Sequence, residues 1–211
     1  MTDDIAVEQL LLDDEFGYSI VAEPLSRNID IILSDLQTAR GAAFVTLLKE
    51  ITNHPAYCAL KTDPSIYTIG GERGEDYDNL LNAARKAVEH GYRVFILPNP
   101  KGFRTADFVF ERKGVYKMFD LKTISGKNSV GSRLVESIGQ SNRVLLNMPS
   151  GYNTRLLAAD IKSYFELNEA ALEVLLFKGK SELSVYRRFA NNSRFYAEFK
   201  KTYEKLKLPL R

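Results

Sequence analysis

One short stretch of the chain, residues 104–123, contains Asp107, Asp120 and Lys122, two carboxylates and an ammonium group whose spacing lets them act together. Phe, Val and Tyr are dense on both sides of Lys113-Gly114, which predicts two antiparallel strands around a tight turn. With a two-residue loop, Asp107 and Asp120 lie directly opposite each other on one face of the hairpin. Lys122 follows two residues later, so its side chain points to the same side. Two carboxylates that converge with a lysine are typical of metal-dependent phosphodiester hydrolysis.

This arrangement carries an electrostatic cost that has to be offset. Like charges opposed at about 5 Å destabilise a hairpin, and a divalent cation is the usual compensation. A second interpretation stays open, in which acidic and basic residues alternate on a solvated strand face and do no chemistry. The register separates the two interpretations, because a loop one residue longer, without a bulge, places the two carboxylates on opposite faces.

Composition limits the class of protein further. The 211 residues suffice for one domain, or one domain with a small appendage, and the 45% hydrophobic content allows a real core. A formal net charge of +2 means that any nucleic-acid footprint must be local. Cys58 is the one cysteine, which excludes an intramolecular disulfide and a Cys-rich zinc site and fits a reducing compartment. Without a signal peptide or an apolar run of transmembrane length, we expect a cytoplasmic protein with no membrane partner.

The periodicity of hydrophobic residues predicts the elements that position the three side chains. An amphipathic helix is expected over residues 28–51, and a Gly- and Pro-containing loop follows up to residue 75. Beyond the hairpin strands, the pattern predicts helices over 75–90, 131–141, 154–167 and 184–205 and strands over 93–97, 143–148 and 172–177. The order around the hairpin is helix, strand, strand, strand, helix, strand. It predicts an α/β (α+β) fold with a central mixed sheet flanked by helices.

This order resembles the minimal core of the PD-(D/E)xK nuclease superfamily, a restriction-endonuclease-like αβββαβ arrangement. That family keeps an acidic residue on its second core strand, here Asp107, and a (D/E)-x-K motif on the third, here Asp120-Leu-Lys122. Ala106 stands where the family name has proline. Over residues 75–148 the chain more closely resembles toxin nuclease (tRNase-like) domains of contact-dependent growth inhibition systems and phage or mobile-element relatives. The resemblance implies a nuclease domain over residues 71–211 with a C-terminal helical region. Residues 1–70 would then form an N-terminal helical extension and linker.

A nuclease of this kind uses Mg²⁺ or Mn²⁺, hard cations that take oxygen ligands. Asp107 and Asp120 would supply carboxylates and Leu121 a backbone carbonyl. Lys122 would orient the attacking water or stabilise charge that develops on the phosphate.

Such nucleases often place a further acidic residue on the first core helix. We favour Asp78 for this catalytic role, because it lies one turn before the apolar Leu81, with Glu75 as the second choice. The alternative for both is that acidic residues near a helix start are favoured by the helix dipole alone.

Contacts to the substrate are expected after the catalytic strand. Thr123, Ser125 and Lys127 would hydrogen-bond phosphates, and the resemblance suggests that Gln140 faces the site. A surface turn and a capping role are the respective alternatives. The basic residues of the C-terminal region, Arg187 among them, form either a phosphate-contacting arm or a solvated face.

The sequence therefore predicts a metal-dependent endonuclease acting on RNA, tRNA included, or on DNA, with nucleic acid and an immunity protein as partners. One alternative is a non-catalytic binding or structural protein of a phage or mobile element that retains the fold. Another is a restriction-like or repair endonuclease that acts on duplex DNA.

Overall fold

The computed structural model describes residues 26–70, 76–100, 102–126, 129–148 and 152–206. The helices in these parts are α1 (Ile29–Thr38), α2 (Gly41–Thr52), α3 (Tyr77–Glu89), α4 (Val130–Glu136), α5 (Thr154–Leu167), α6 (Arg187–Ala190) and α7 (Phe195–Lys205). The strands are β1 (Cys58–Ala59), β2 (Ile66–Thr68), β3 (Arg93–Ile96), β4 (Phe108–Arg112), β5 (Val115–Thr123), β6 (Arg143–Met148), β7 (Glu173–Lys178) and β8 (Ser181–Tyr186).

The eight strands form one mixed sheet whose spatial order is the order of the chain, β1 to β8. The neighbours β2 and β3 are parallel, as are β5, β6 and β7, and the other neighbouring pairs are antiparallel. The predicted α/β fold with a mixed sheet flanked by helices is confirmed. The predicted αβββαβ order occurs as α3-β3-β4-β5-α4-β6.

The hairpin between β4 and β5 has the predicted loop and register. Lys113 and Gly114 both have positive φ angles, 54° and 78°, as a two-residue turn matched to the twist of a hairpin requires. Arg112 consequently pairs with Val115, and Phe108 pairs with Phe119 at the other end of the ladder.

Helices cover both faces of the sheet. On one face α3 packs its alanines, Ala83, Ala84 and Ala87, against aromatic residues of β4 and β5. On the other face α1 and α2 cover β3, β4 and the start of β5, while α4, α5 and α7 cover β6 and β7. The second face is therefore covered by two separate groups of helices, and the end of β5 lies between the two groups.

The N-terminal part differs from the single helix predicted over residues 28–51. Ala39 and Arg40 are extended, and Gly41 has a φ of +58°, so the chain breaks there into α1 and α2. The predicted loop contains β1 and β2, and Ile66 of β2 pairs with Val94 of β3. The predicted division at residue 70 stays a prediction, although strands before it extend the same sheet.

The predicted C-terminal helix over 184–205 is wrong at its start. Residues up to Tyr186 belong to β8, which pairs with β7 around Gly179 and Lys180. Leu183 and Val185 alternate there with polar residues, a period of two that favours a strand. None of the helices in the described parts of the chain has the length and apolarity needed to cross a membrane.

Candidate active site

The predicted catalytic residues lie where β5 changes its partner. The first half of β5 pairs with β4, and from Asp120 onward it pairs with β6. In that second ladder Asp120 lies beside Val144, and Lys122 lies beside Leu146. Val144 and Leu146 belong to the core beneath α4 and α5, so Asp120 and Lys122 point to that face of the sheet.

Asp107 marks the point at which β4 leaves β5. Its amide donates to the Phe119 carbonyl at 3.0 Å. The next hydrogen bond between the two strands is made by the Asp107 side chain instead of the backbone. Oδ2 of Asp107 accepts a hydrogen bond from the Leu121 amide at 2.6 Å. The carboxylate thereby substitutes for a backbone carbonyl, which fixes it against the middle of the Asp120-Leu121-Lys122 motif.

Asp120 and Lys122 form a close ion pair. Nζ of Lys122 is 3.0 Å from Oδ2 of Asp120 and donates to Oδ1 at 3.3 Å. Asp120 is 1% exposed, so this carboxylate sits in the protein interior beside the ammonium group. Oδ2 of Asp120 accepts no well-directed hydrogen bond from the described residues.

The two carboxyl groups interact directly and are difficult to ionise together. Burial raises the pKa of Asp120 to about 7; the Lys122 charge opposes this shift and the Asp107 charge adds to it. Burial also raises the pKa of Asp107, against the Leu121 hydrogen bond and the Lys122 charge, which lower it. The groups are close enough for a protonated Asp120 to hydrogen-bond to Asp107. At neutral pH without a cation the pair therefore tends to retain a proton.

This donor set fits a hard divalent cation. The described parts of the chain contain no group of three or more His, Cys, Asp or Glu side chains arranged to hold a metal. Mg²⁺ typically uses only one or two carboxylates and completes its shell with waters and phosphate oxygens. Asp107 and Asp120 meet that requirement. A residue in an extended strand directs its N–H and C=O to the same neighbour, so the Leu121 carbonyl faces the Asp107 side as a third oxygen.

The acidic residue of α3 whose charge acts on Asp107 is Asp76, whereas the sequence favours Asp78. Asp78 is exposed in the first turn of the helix. Asp76, at the N-cap, is the residue whose charge contributes to raising the pKa of Asp107, after burial. Asp78 is favoured from the sequence only by its spacing from Leu81, and its catalytic role stays a prediction. The second choice, Glu75, lies outside the described residues.

The predicted substrate contacts are dispersed. Thr123 pairs with Asn147 and so points to the α3 face, opposite to Lys122. Ser125 is exposed in the irregular segment after β5, and Lys127 lies outside the described residues. The helix predicted to carry Gln140 ends at Glu136, and the Gln140 amide donates to the Glu136 carbonyl at 2.7 Å. That bond matches the capping alternative for Gln140.

The C-terminal basic residues divide between structural and exposed positions. Arg187 donates to the carbonyls of Phe165, Asn168 and Ala171, and thereby satisfies the end of α5. Because its guanidinium group is engaged in these bonds, Arg187 is not available to contact phosphates as the predicted arm would. Lys200 instead borders a cavity of about 990 Å³ between α5 and α7. Asp107, Asp120 and Lys122 do not line this cavity, so the candidate site lies where β4 leaves β5 and not in the cavity.

Comparisons with known proteins give a weak structural likeness. No family model matches the sequence, and no curated protein matches it. Among solved structures, the chain is similar to one from the CdiA-CT/CdiI toxin and immunity complex of Burkholderia pseudomallei. The TM-score is 0.44 at 15% identity, and the match covers 57% of this chain and 98% of the other. A likeness of this size carries no functional argument.

Proposed function

We propose that the protein is a metal-dependent endonuclease that hydrolyses phosphodiester bonds of RNA, tRNA included, or of DNA. The observation that supports this most strongly is the buried pair Asp107 and Asp120, joined to Lys122 at the point where β4 leaves β5. Burial opposes ionisation of both carboxyl groups. Placing two buried carboxyl groups next to each other therefore does not stabilise the fold, which favours a functional role for them.

Each of the three side chains has a distinct part in the proposed reaction. Asp107 and Asp120, with the Leu121 carbonyl, would hold Mg²⁺ or Mn²⁺. When bound, such an ion lowers the pKa of a water ligand and neutralises charge on the phosphate. Lys122 keeps a compact positive charge 3.0 Å from Asp120, in place to hold the attacking water or a phosphate oxygen. The Asp107–Leu121 hydrogen bond fixes one carboxylate before substrate arrives, so little reorganisation is needed.

A non-catalytic binding protein of a phage or mobile element is the second candidate. Its support is that the Asp120–Lys122 ion pair is nearly closed to solvent, with 2% and 14% of the side chains exposed, as a structural pair can be. Under this candidate the protein binds nucleic acid or another partner without cleaving it.

Cleavage assays separate the two candidates. We would incubate the protein with tRNA, supercoiled plasmid and single-stranded oligonucleotides, each with Mg²⁺, Mn²⁺ or a chelator. The proposal expects metal-dependent cleavage of at least one substrate by the wild type and none by Asp107→Asn. Absence of cleavage of every substrate in both metals would contradict it.

The sequence resemblance to toxin nucleases adds an immunity protein as a proposed partner. Expression of the wild-type chain in cells that lack such a partner should then arrest growth, whereas Lys122→Ala should not. Equal growth of cells that express the two proteins would contradict the toxin part of the proposal and leave the cleavage assays to decide the enzymatic part.

A further inference from the structure

A second polar cluster lies on the opposite face of the sheet, at the carboxyl ends of β5 and β6. Lys86 of α3 donates to Oδ1 of Asn147 at 2.6 Å. The Asn147 amide in turn donates to Oδ1 of Asn82 at 3.2 Å. Asn147 is 8% exposed, so a row of polar groups here is held against the sheet rather than left on the surface.

The charge of Lys86 is poorly compensated in this position. Its hydrogen-bond partner among the described residues is a neutral amide oxygen, and no carboxylate there lies within ion-pair distance. Burial lowers the pKa of Lys86, and Glu89, one turn later on α3, opposes this shift only through its charge. A half-buried ammonium group without a direct counter-ion favours an anionic ligand.

Thr123 supplies an unused donor on the same face of the sheet as this cluster. It is the register partner of Asn147, so the two side chains share the α3 face. Its Oγ1 is buried, and no hydrogen-bond partner for it exists among the described residues. Buried hydroxyl groups are rarely left unpaired in a native protein, and one that is calls for a ligand or a water.

We propose that Lys86, Asn147 and Thr123 form a second phosphate-binding site, which holds a backbone phosphate next to the one that is cleaved. An ammonium, an amide and a hydroxyl group together match the oxygens of a phosphodiester. Thr123 directly follows Lys122 and points to the other side of β5, so one strand of nucleic acid that crosses the end of β5 would meet both sites. This inference rests on the proposed function for the identity of its ligand.

Two substitutions test the site, with a matched control. Lys86→Met keeps most of the length of the side chain and removes its charge, and Thr123→Val replaces the hydroxyl group with a methyl group of similar size. Arg85→Met is the control, because Arg85 is a neighbouring cation that pairs with Asp63 at 3.1 Å. Each change is made in an Asp120→Asn background, so that affinity for a fluorescent RNA or DNA oligonucleotide can be measured without cleavage.

The expected result is a loss of affinity of roughly tenfold for Lys86→Met, as for a lost charged hydrogen bond. The slope of log affinity against log salt should fall by about 0.7 to 0.9, the loss of one phosphate contact. Thr123→Val should weaken binding without lowering the melting temperature, because its hydroxyl group has no partner to lose. Unchanged affinity and salt slope in both variants, or equal losses in Arg85→Met, would overturn the inference.

A parallel arm with inorganic phosphate separates this inference from the proposed function. If the wild type cleaves nothing but Lys86→Met still loses oligonucleotide affinity, the second site stands and the nuclease does not. A different result is that phosphate raises the melting temperature of the wild type but not of Lys86→Met, while oligonucleotides bind the two proteins equally. In that case the ligand of the second site is free phosphate. That result would overturn the assignment to nucleic acid.

Discussion

The Asp107 carboxylate accepts a 2.6 Å hydrogen bond from the Leu121 amide, in the place where an antiparallel ladder would have a backbone carbonyl. One side chain therefore both ends the β4–β5 pairing and faces the Asp120-Leu121-Lys122 motif. The structural and the proposed catalytic roles of Asp107 can be separated, because an asparagine keeps the acceptor and loses the charge.

We expect Asp107→Ala to be less stable than Asp107→Asn by about 1–3 kcal/mol in a chelator, since alanine leaves the Leu121 amide without its partner. Urea denaturation of both variants measures this difference. Both should lose metal-dependent cleavage. Equal stability of the two variants would show that the Leu121 hydrogen bond contributes little to the fold.

Asp120→Asn should not destabilise the metal-free protein at neutral pH, and we expect a gain on the order of 1–3 kcal/mol. The asparagine resembles the protonated form that burial already favours. Glu173→Gln is the contrasting control, because Glu173 is 1% exposed and pairs with Lys117 at 2.9 Å and Arg143 at 3.3 Å. That change should cost about 3–5 kcal/mol, as for a broken buried pair. A comparable loss in Asp120→Asn would identify Asp120 as a structural ion-pair partner instead.

The stability of the metal-free protein should depend on pH through the same carboxyl group. The folded pKa of Asp120 is about 7, above its usual value of 3.8 in an unfolded chain. Between these values the folded state binds more protons, so this contribution is complete below about pH 4 and is lost as the pH rises through 7. Melting temperatures in a chelator at pH 5 and pH 8 measure it. We expect the decrease toward pH 8 to be smaller in Asp120→Asn, and an identical decrease in both proteins would refute the assignment.

The geometry of the candidate site could be predicted from sequence because it is local. Lys113-Gly114 specifies a two-residue turn, and that turn fixes which residues oppose each other for the length of the hairpin. Asp107 and Asp120 follow from this register together with their spacing. The pattern of hydrophobic residues likewise predicts α3, β3 and β6, which are long enough to show a period.

Features that depend on distant partners could not be predicted in this way. The strands β1 and β2 have two and three residues, too few to show an alternation. The departure of β4 from β5 at Asp107 depends on β6 taking over the pairing from Asp120. The cluster of Lys86 and Asn147 joins residues far apart in the chain, and its one sequence signal was a polar residue inside the apolar β6.

Asp76 and Asp78 lie at the same end of α3, so their roles can be compared directly. We expect Asp76→Asn to weaken the Mg²⁺ dependence of cleavage by roughly three- to tenfold, because this exposed negative charge, which also acts on Asp107, would add to the attraction for the cation. Asp78→Asn, two residues later and also exposed, should retain wild-type activity. The Mg²⁺ concentration that gives half-maximal cleavage, measured for both variants, decides between them. The opposite ranking would restore Asp78 as the acidic residue of the site.

The most direct test of the account is the cleavage rate of Lys122→Ala, measured together with its metal binding. Lys122 is assigned to the water and the phosphate rather than to the cation, so the rate should fall by about 100-fold or more. The melting-temperature increase in Mn²⁺ should meanwhile stay close to that of the wild type. Lys201→Ala, at an exposed position of α7, should match the wild type in both measurements. Cleavage by Lys122→Ala at an undiminished rate, or no cleavage by the wild type on RNA or DNA with either metal, would contradict the catalytic assignment.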